Sequence, residues 1–187
     1  MKHLRSLLLL FLALTSLSVA TAQTSSSSGS VVYMTLRGQK QGVIKGEVTR
    51  KGLEGSHFLL AYSHEIVSPR DPASGLPTGK RQHQPFRVVK LLNEGSPALL
   101  NAMAANEVLP TVTIDVWGVN NVGVEAKILT YTLVNANLIS IRPWMPNQSD
   151  SAAANYPPAE ELSFSYESIR VLWVPKGTEA QDTWSSR

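Results

Sequence analysis

The sequence predicts a mainly β protein: a compact β-barrel, or two packed antiparallel sheets, with one short α-helix. Three observations carry that prediction. Segments such as Thr111 to Val119 alternate with a period of two, placing Val112, Ile114 and Val116 on one face and Thr111, Thr113 and Asp115 on the other. That is the pattern of a strand with one buried face. Glycine, proline and asparagine recur at short intervals between such segments, which favours many short strands closed into a sandwich or barrel. Only one stretch, Ser96 to Ala105, has helical composition and spacing.

The chain begins with a segment that stands apart from this fold. Lys2, His3 and Arg5 form a positive start, Leu7 to Leu14 is an unbroken apolar run, and Ala20 and Ala22 place small residues where a signal peptidase would cut before Gln23. A secretory signal peptide over residues 1–22 is therefore expected. Its apolar run is far shorter than the roughly 20 residues a spanning helix needs, so no stable membrane insertion is expected once it is removed. The sequence has no cysteine, which excludes a disulfide, a thiolate nucleophile and a lipoprotein anchor. Removing the signal takes two of the 17 basic residues and none of the 14 acidic ones, leaving 15 against 14 and a net charge of +1. A protein so near neutrality has no electrostatic footprint for nucleic acid. Residues 23–30, with five serines and a glycine, read as a flexible leader.

From residue 31 to 175 one barrel domain is expected, with 176–187 as a C-terminal tail. Val31 to Leu36 forms the first strand, ended by Gly38. Gly42, Gly46 and Gly52 then break the chain into corners or bulges. His57 to Val67 is the second long strand and Gln84 to Leu92 the third, with Phe86 and Val88 opposite Arg87 and Val89. In the helix, Ser96 is placed as the capping residue and Pro97 at the first helical position, with Leu99, Leu100 and Met103 on the apolar face. Thr111 to Val119 and Glu125 to Val134 follow, joined by the turn signal Asn120-Asn121-Val122-Gly123. A break at Asn135-Ala136-Asn137 precedes a strand from Leu138 to Trp144, and Pro146 to Pro158 reads as a polar loop. The last strand runs from about Glu161 to Val174, and its alternation slips between Tyr166 and Ile169, which predicts a bulge or sharp bend.

Between the second and third strands lies the least ordinary stretch, Ser68 to Phe86. Pro69, Pro72 and Pro77 alternate with Gly75 and Gly79, which rules out a helix or central strand. Arg70, Lys80 and Arg81 face one carboxylate, Asp71, so the segment stays hydrated unless a partner covers it. Loops longer than about 12–15 residues are uncommon in compact domains and are usually functional or disordered. Here the proline and glycine placement favours defined turns. An arm that reaches another subunit is the expected role.

Chemistry has little support in the sequence. His57, His64 and His83 are the histidines after the signal; the first two, seven apart, fall on opposite faces of a strand, and no ligand set is completed. No metal, cofactor or catalytic residue is assigned. Gly75 to Lys80 has three residues between its glycines where a phosphate-binding loop has four, and Arg81 stands where that loop needs serine or threonine. No nucleophile elbow occurs. The four tryptophans, Trp117, Trp144, Trp173 and Trp184, read as core or interface residues. Asn147-Gln148-Ser149 fits a glycosylation acceptor, a pattern frequent by chance.

Several local strings are similar to those of the haemolysin-coregulated protein (Hcp) family, the tube subunit of bacterial type VI secretion systems. They are Tyr33-Met34-Thr35, the Gln39 to Glu47 segment containing Gly42, Gly46 and Glu47, the run Ser63 to Asp71, the run Ala73 to His83, Ser96-Pro97 with its helix, Asn135-Ala136, and Glu161 to Tyr166. The arm is the most specific of these, including Ser68, Pro69, Arg70, Asp71, Gly75, Leu76, Pro77, Thr78, Gly79, Lys80 and Arg81. The resemblance implies a barrel of two packed sheets carrying one helix. It also implies a hexameric ring of identical chains whose arms pack on neighbours, stacked into a tube with effector proteins as possible cargo and with secretion-machine components as partners. In that setting Arg70, Asp71, Lys80 and Arg81 are expected to find partners in the assembled state. The signal peptide departs from the family pattern and motivates a second expectation: a secreted or periplasmic binding module with the same fold, outside the tube. The two readings imply export after the signal or, alternatively, a cytoplasmic chain exported by type VI secretion.

Overall fold

The computed structural model describes residues 29–120, 122–150 and 156–184. The expected signal peptide, its cleavage residues Ala20, Ala22 and Gln23, and most of the leader lie outside the described residues.

Eleven strands are described: β1 Val31–Gly38, β2 Gly42–Ile44, β3 His57–Ser63, β4 Ile66–Val67, β5 Gln82–His83, β6 Phe86–Leu91, β7 Val108–Val119, β8 Glu125–Trp144, β9 Ala159–Ser165, β10 Ser168–Trp173 and β11 Thr178–Thr183. One helix, α1 Ser96–Ala104, stands between β6 and β7. All pairings are antiparallel, in the order β8-β7-β1-β3-β6-β9, and β9 returns to β8, so six strands close into a barrel. Closure leaves these six without a free edge for uncontrolled pairing. The mainly β barrel with one helix is the architecture the sequence predicts.

Closure depends on β8, whose 20 residues serve two neighbours along one edge. Leu129 to Val134 pairs with β10, and Asn137 to Trp144 pairs with β9. Asn135 lies between the two halves at φ 48°, the left-handed region that asparagine tolerates best after glycine. The expected break at residues 135–137 is therefore a bend inside one continuous strand. Conversely, the expected single strand from Glu161 to Val174 is divided at Tyr166-Glu167 into β9 and β10, where the alternation slips. The chain turns there from the barrel to a hairpin beside it. The expected second strand is likewise shortened: β3 ends at Ser63 and the arm's own pairing begins at Ile66.

The core is filled by the inward faces, with Met34, Phe86, Leu109, Ile114, Leu133 and Phe164 all fully buried. Two irregularities turn apolar residues outward. The register shifts between Leu59 and Ala61 and again between Leu138 and Ser140 leave Leu60 and Ile139 each 50% exposed. Helix α1 packs against β8 and buries Leu99 and Ala102, with Met103 partly covered, while Leu100 is 53% exposed. The buried stripe thus follows i, i+3, i+4 from Leu99 and leaves Leu100 a third of a turn outside it.

The sheet continues past residue 175. A 3-10 turn over Val174–Lys176 and Gly177 at φ 64° reverse the chain into β11, which pairs along the whole of β10, from Ser168↔Thr183 to Trp173↔Thr178. The sequence Thr-Glu-Ala-Gln-Asp-Thr carries no apolar alternation because this strand buries almost no side chain. It is held by backbone pairing at a sheet edge.

Candidate assembly site

The arm is a hairpin with its own two-stranded sheet. β4 pairs with β5 through Ile66↔His83 and Val67↔Gln82, and the Gln84 N–H donates to the Glu65 carbonyl at 2.9 Å. Further out, Arg70 and Pro77 form an isolated bridge, the Thr78 N–H donates to the Pro69 carbonyl at 3.0 Å, and the Asp71 N–H donates to the Leu76 carbonyl at 2.9 Å. At the tip the Asp71 carboxylate accepts from the N–H groups of Ala73 and Ser74 and from the Ser74 hydroxyl, and Gly75 takes φ 69°. This Asx-type turn holds the Asp71 carboxyl below its ordinary range, chiefly through Ser74. The proline and glycine punctuation has therefore produced fixed turns, as predicted. Pro72 to Lys80 are all exposed, and Leu76 at the tip is 65% exposed.

Charged residues of the arm have partners within the chain. Partners within the same chain engage three of the four: the Arg70 guanidinium donates to the Gly75 carbonyl at 3.1 Å, Asp71 caps the tip, and Arg81 forms a two-pronged pair with Asp182 of β11 at 2.8 and 2.7 Å. Short-range turns place Arg70 and Asp71 beside local partners, and the terminal strand holds Arg81. Lys80 is exposed.

Where the arm joins the barrel, four ionisable or aromatic groups meet. The Tyr166 hydroxyl lies 2.6 Å from His64 Nε2 and 2.9 Å from His83 Nδ1, and His83 Nε2 faces Asp182 Oδ2 at 3.3 Å. Trp184 stacks on His83 with centroids 5.6 Å apart, and Phe86 stacks on His64 at 5.2 Å. Burial pushes the Tyr166 phenol up, with the Asp182 charge adding to it, and burial followed by the nearby His83 pulls His64 below the usual histidine value. Arg81 holds the Asp182 carboxyl down. Beside this cluster Tyr62, Phe86 and Tyr131 pack ring to ring, and burial raises the Tyr131 phenol to about 12.

Of the other family strings, Gly46, Glu47 and Ser96 meet elsewhere, around a buried ion pair at the start of the helix. Lys90 is fully buried and its ammonium lies 2.7 Å from Glu160 Oε1, itself 2% exposed. Lys90 Nζ also donates to Asn93 Oδ1 at 2.9 Å, the Leu91 carbonyl at 3.0 Å and Ser96 Oγ at 3.3 Å. The Ser96 hydroxyl donates to Glu160 at 2.7 Å and accepts the Asn93 N–H at 3.1 Å. Ser96 is thus not the helix cap: Gly95 occupies that position, no side chain caps it, and Pro97 follows in the first turn. The hydroxyl serves the buried ion pair instead, which is the stronger demand because a buried charge needs its full set of partners. Asn93 Nδ2 reaches Glu47 and His57 Nδ1, Glu47 accepts the Phe58 N–H at 3.0 Å, and His57 Nε2 donates to the Ile44 carbonyl at 3.2 Å. His57 is neutral there, its basicity lowered by burial first and by the Lys90 charge second.

Two glycines permit this arrangement by close approach. A Cβ on Gly46 would stand 2.5 Å from the Ser56 carbonyl and 2.7 Å from the His57 ring, and one on Gly95 would stand 2.5 Å from the Lys45 carbonyl and 2.6 Å from His57 Cε1. Gly42 turns the β1–β2 hairpin at φ 73°. Just before it, the Glu107 carboxylate accepts from the N–H groups of Lys40 and Gln41 and from the Gln41 amide.

Sequence reasoning did not find Lys90, Asn93, Glu107 or Glu160. A signal was present for Lys90, which falls on the same alternating face as Phe86 and Val88. The tryptophans are not core residues. Trp144, Trp173 and Trp184 are roughly half exposed. No group of three or more histidine, aspartate or glutamate side chains that could hold a metal occurs among the described residues, and no described helix is long and apolar enough to cross a membrane.

The fold is thus a closed six-stranded antiparallel barrel with a hairpin arm, one short helix and a β10–β11 hairpin on one flank. Residues 33–173 match the family described as type VI secretion system effector, Hcp. The chain belongs to that Hcp family. It is 32% identical over 163 residues to the "Major exported protein" of Pseudomonas aeruginosa, covering 82% of this chain and 95% of the relative. A solved structure described as an Hcp protein superposes with a TM-score of 0.77 at 27% identity, covering 85% of this chain and all of that one. Secreted protein Hcp3 from Pseudomonas aeruginosa gives a TM-score of 0.70 at 24% identity over 84% of this chain and all of that one. As a member of this family the chain is a tube-like structural protein of type VI secretion. The residues from Val174 onward, including β11, Asp182 and Trp184, lie beyond the matched span.

Proposed function

We propose that this protein is a ring-forming structural subunit whose identical copies close a hexamer and stack into a type VI secretion tube, with effector proteins as cargo in the channel. The observation that carries the proposal is the arm. It is an exposed hairpin fixed by its own hydrogen bonds, too polar to belong to the core, and rigid enough to dock without a large ordering cost. A head-to-tail ring needs such a projection and a complementary patch on the next copy. The half-exposed Trp144, Trp173 and Trp184 and the outward Leu60 and Ile139 supply apolar surface of the kind that subunit contacts cover. A relative named for being exported supports export by the same route. The role assigned to the protein is structural, with no catalytic step.

The test is native mass spectrometry and negative-stain electron microscopy of the protein and of a variant lacking Pro72 to Gly79. Rings that stack at high concentration are expected from the intact protein, and weakened stacking or ring closure from the variant while its circular dichroism is unchanged. Absence of any ring from the intact protein overturns the proposal. An unchanged assembly in the variant removes the arm from it.

A second reading rests on residues 1–22. Their signal-peptide pattern favours a secreted or periplasmic Hcp-like binding module outside the tube. Fractionation of native cells with mass spectrometry of the N-terminus decides between them. A chain beginning at Gln23 in the periplasm or medium supports the module, and an unprocessed cytoplasmic chain supports the tube subunit.

A further inference from the structure

The groups at the arm base form a chain of two hydrogen bonds and one charge contact whose direction can be derived. A tyrosine hydroxyl has one proton, so of the two imidazole nitrogens on Tyr166 one must accept from it and the other must donate to it. Asp182, held as a carboxylate by the two-pronged Arg81, faces His83 Nε2. A bare nitrogen lone pair against a carboxylate is repulsive, so His83 carries its proton on Nε2 and accepts from Tyr166 at Nδ1. His64 then donates through its own Nε2. In the neutral state the order is His64 Nε2–H to Tyr166 and Tyr166 O–H to His83 Nδ1, with His83 Nε2–H facing the Asp182 carboxylate at 3.3 Å without a hydrogen bond of good geometry.

We propose that this chain is a two-proton latch, fastening the base of the arm to the corner at Tyr166 and to β11 at neutral pH and releasing it when both His64 and His83 are charged. One added proton is accommodated. It binds His83 at Nδ1, where Asp182 stabilises the imidazolium, and Tyr166 turns its O–H toward His64, which moves its own proton to Nδ1. A second proton is not accommodated. His64 Nε2–H and His83 Nδ1–H would then both point at one oxygen, the Tyr166 proton would lose its acceptor inside a largely buried site, and two like charges would flank one hydroxyl. Swinging the arm base away from Tyr166 lets water take over both imidazoliums.

The other charged groups around the cluster favour this sequence of events. Glu65 and Arg87 line the cleft on one side of His64, and Asp182 lines the apolar cleft of about 160 Å³ on the other. From the corner after β9, Glu167 is engaged by the Asn135 amide at 2.6 Å. Asp182 therefore supports the first charge, on His83, while burial and that first charge oppose the second, on His64. Asp182 and Trp184 stand outside the residues matched by the family, so the latch is argued from this chain's own terminal strand. It concerns contacts within one chain and stands or falls apart from the ring.

The test uses the full chain labelled with nitrogen-15 histidine. Long-range nitrogen–proton spectra at pH 7.5 are expected to show His64 and His83 both neutral with the proton on Nε2; a neutral His83 protonated on Nδ1, or a charged His64, overturns the latch. Amide hydrogen exchange, corrected for its intrinsic pH dependence, should then rise at least tenfold at Ile66, Val67, His83 and Gln84 between pH 7.5 and 5. Amides shared by β1 and β7 should not change over that range. Tyr166→Phe removes the shared oxygen and should abolish this pH step. Equal arm protection at both pH values, or a step that survives in the phenylalanine variant, overturns the proposal. The tautomer measurement on the unaltered chain remains decisive if the variant fails to fold.

Discussion

The network under the helix and the chain at the arm base differ in what water can reach. Lys90 and Glu160 are both buried, their charges opposite, and every proton on the ammonium has a carbonyl, carboxylate or hydroxyl acceptor within 3.3 Å. At the arm base His64 is half-buried beside two clefts, Asp182 is partly exposed, and burial holds His64 below the usual histidine value. The first arrangement fixes the corner where β6, β9 and α1 meet through opposite charges that are matched and fully hydrogen-bonded. The second ties a projecting element to the barrel by bonds that depend on solution conditions.

The largest expected effect breaks the buried ion pair. Glu160→Gln leaves the Lys90 ammonium buried without its carboxylate, and removing one partner of a buried pair costs about 3–5 kcal/mol. Urea unfolding should show a loss of that order, and the double change Lys90→Met with Glu160→Leu should recover most of it. Recovery identifies the loss as an uncompensated charge. A single variant as stable as the wild type would mean that water reaches the pair, and the contrast between the regions would fail.

A smaller effect is expected from Gly46→Ala. The new methyl meets a backbone carbonyl and the His57 ring, neither the free end of a flexible chain, so strain of about 1–3 kcal/mol is expected from overpacking. Thermal unfolding measures it. Relief of the strain by the further change His57→Ala would show that the ring, more than the carbonyl, sets the limit.

How far these features were readable in the sequence follows the same division. Strands with one buried face announce themselves, and Val112, Ile114 and Val116 are buried as their alternation requires. The arm was legible through its prolines and glycines. β11 was not, since a strand that contributes only backbone to an edge leaves no apolar period. Asn135 reads as a break because its residue type favours turns, yet it only bends β8. The ion pair was hidden by distance: residues 90 and 160 belong to strands far apart in the chain, and a lysine on an apolar face becomes interpretable only when its partner is seen. The cluster of His64, His83, Tyr166 and Asp182 was invisible for the same reason, being assembled from four segments.

The pH dependence of stability sharpens the comparison further. His57 and His64 both have folded values below the ordinary one, through burial in each case, with the charge of Lys90 or His83 adding to it. The unfolded chain therefore binds more protons between the ordinary value and the depressed ones. Their contribution to stability is complete above about pH 6.5 and falls as the pH drops toward the folded values. Urea midpoints should decline from pH 7.5 to 5. In His57→Gln, where the amide can still donate to the Ile44 carbonyl, the starting stability should be lower and the decline shallower. An unaltered slope would assign the acid sensitivity to the arm base alone.

The smallest effect belongs to a charged pair that belongs to neither network. Arg50 and Glu125 form a two-pronged contact at 2.8 and 2.9 Å, with Arg50 lying 5.5 Å from the Trp117 ring centroid and Lys127 at 5.9 Å. Its geometry is as good as that of Lys90 with Glu160, and Arg50 holds the Glu125 carboxyl below its ordinary range. Both side chains are well exposed, so water screens the attraction and solvates either partner left alone. Glu125→Gln should leave the melting temperature within experimental error in 0.5 M salt and lower it only slightly at low salt. A loss comparable to that of Glu160→Gln would mean that geometry, not burial, governs the charged pairs of this barrel.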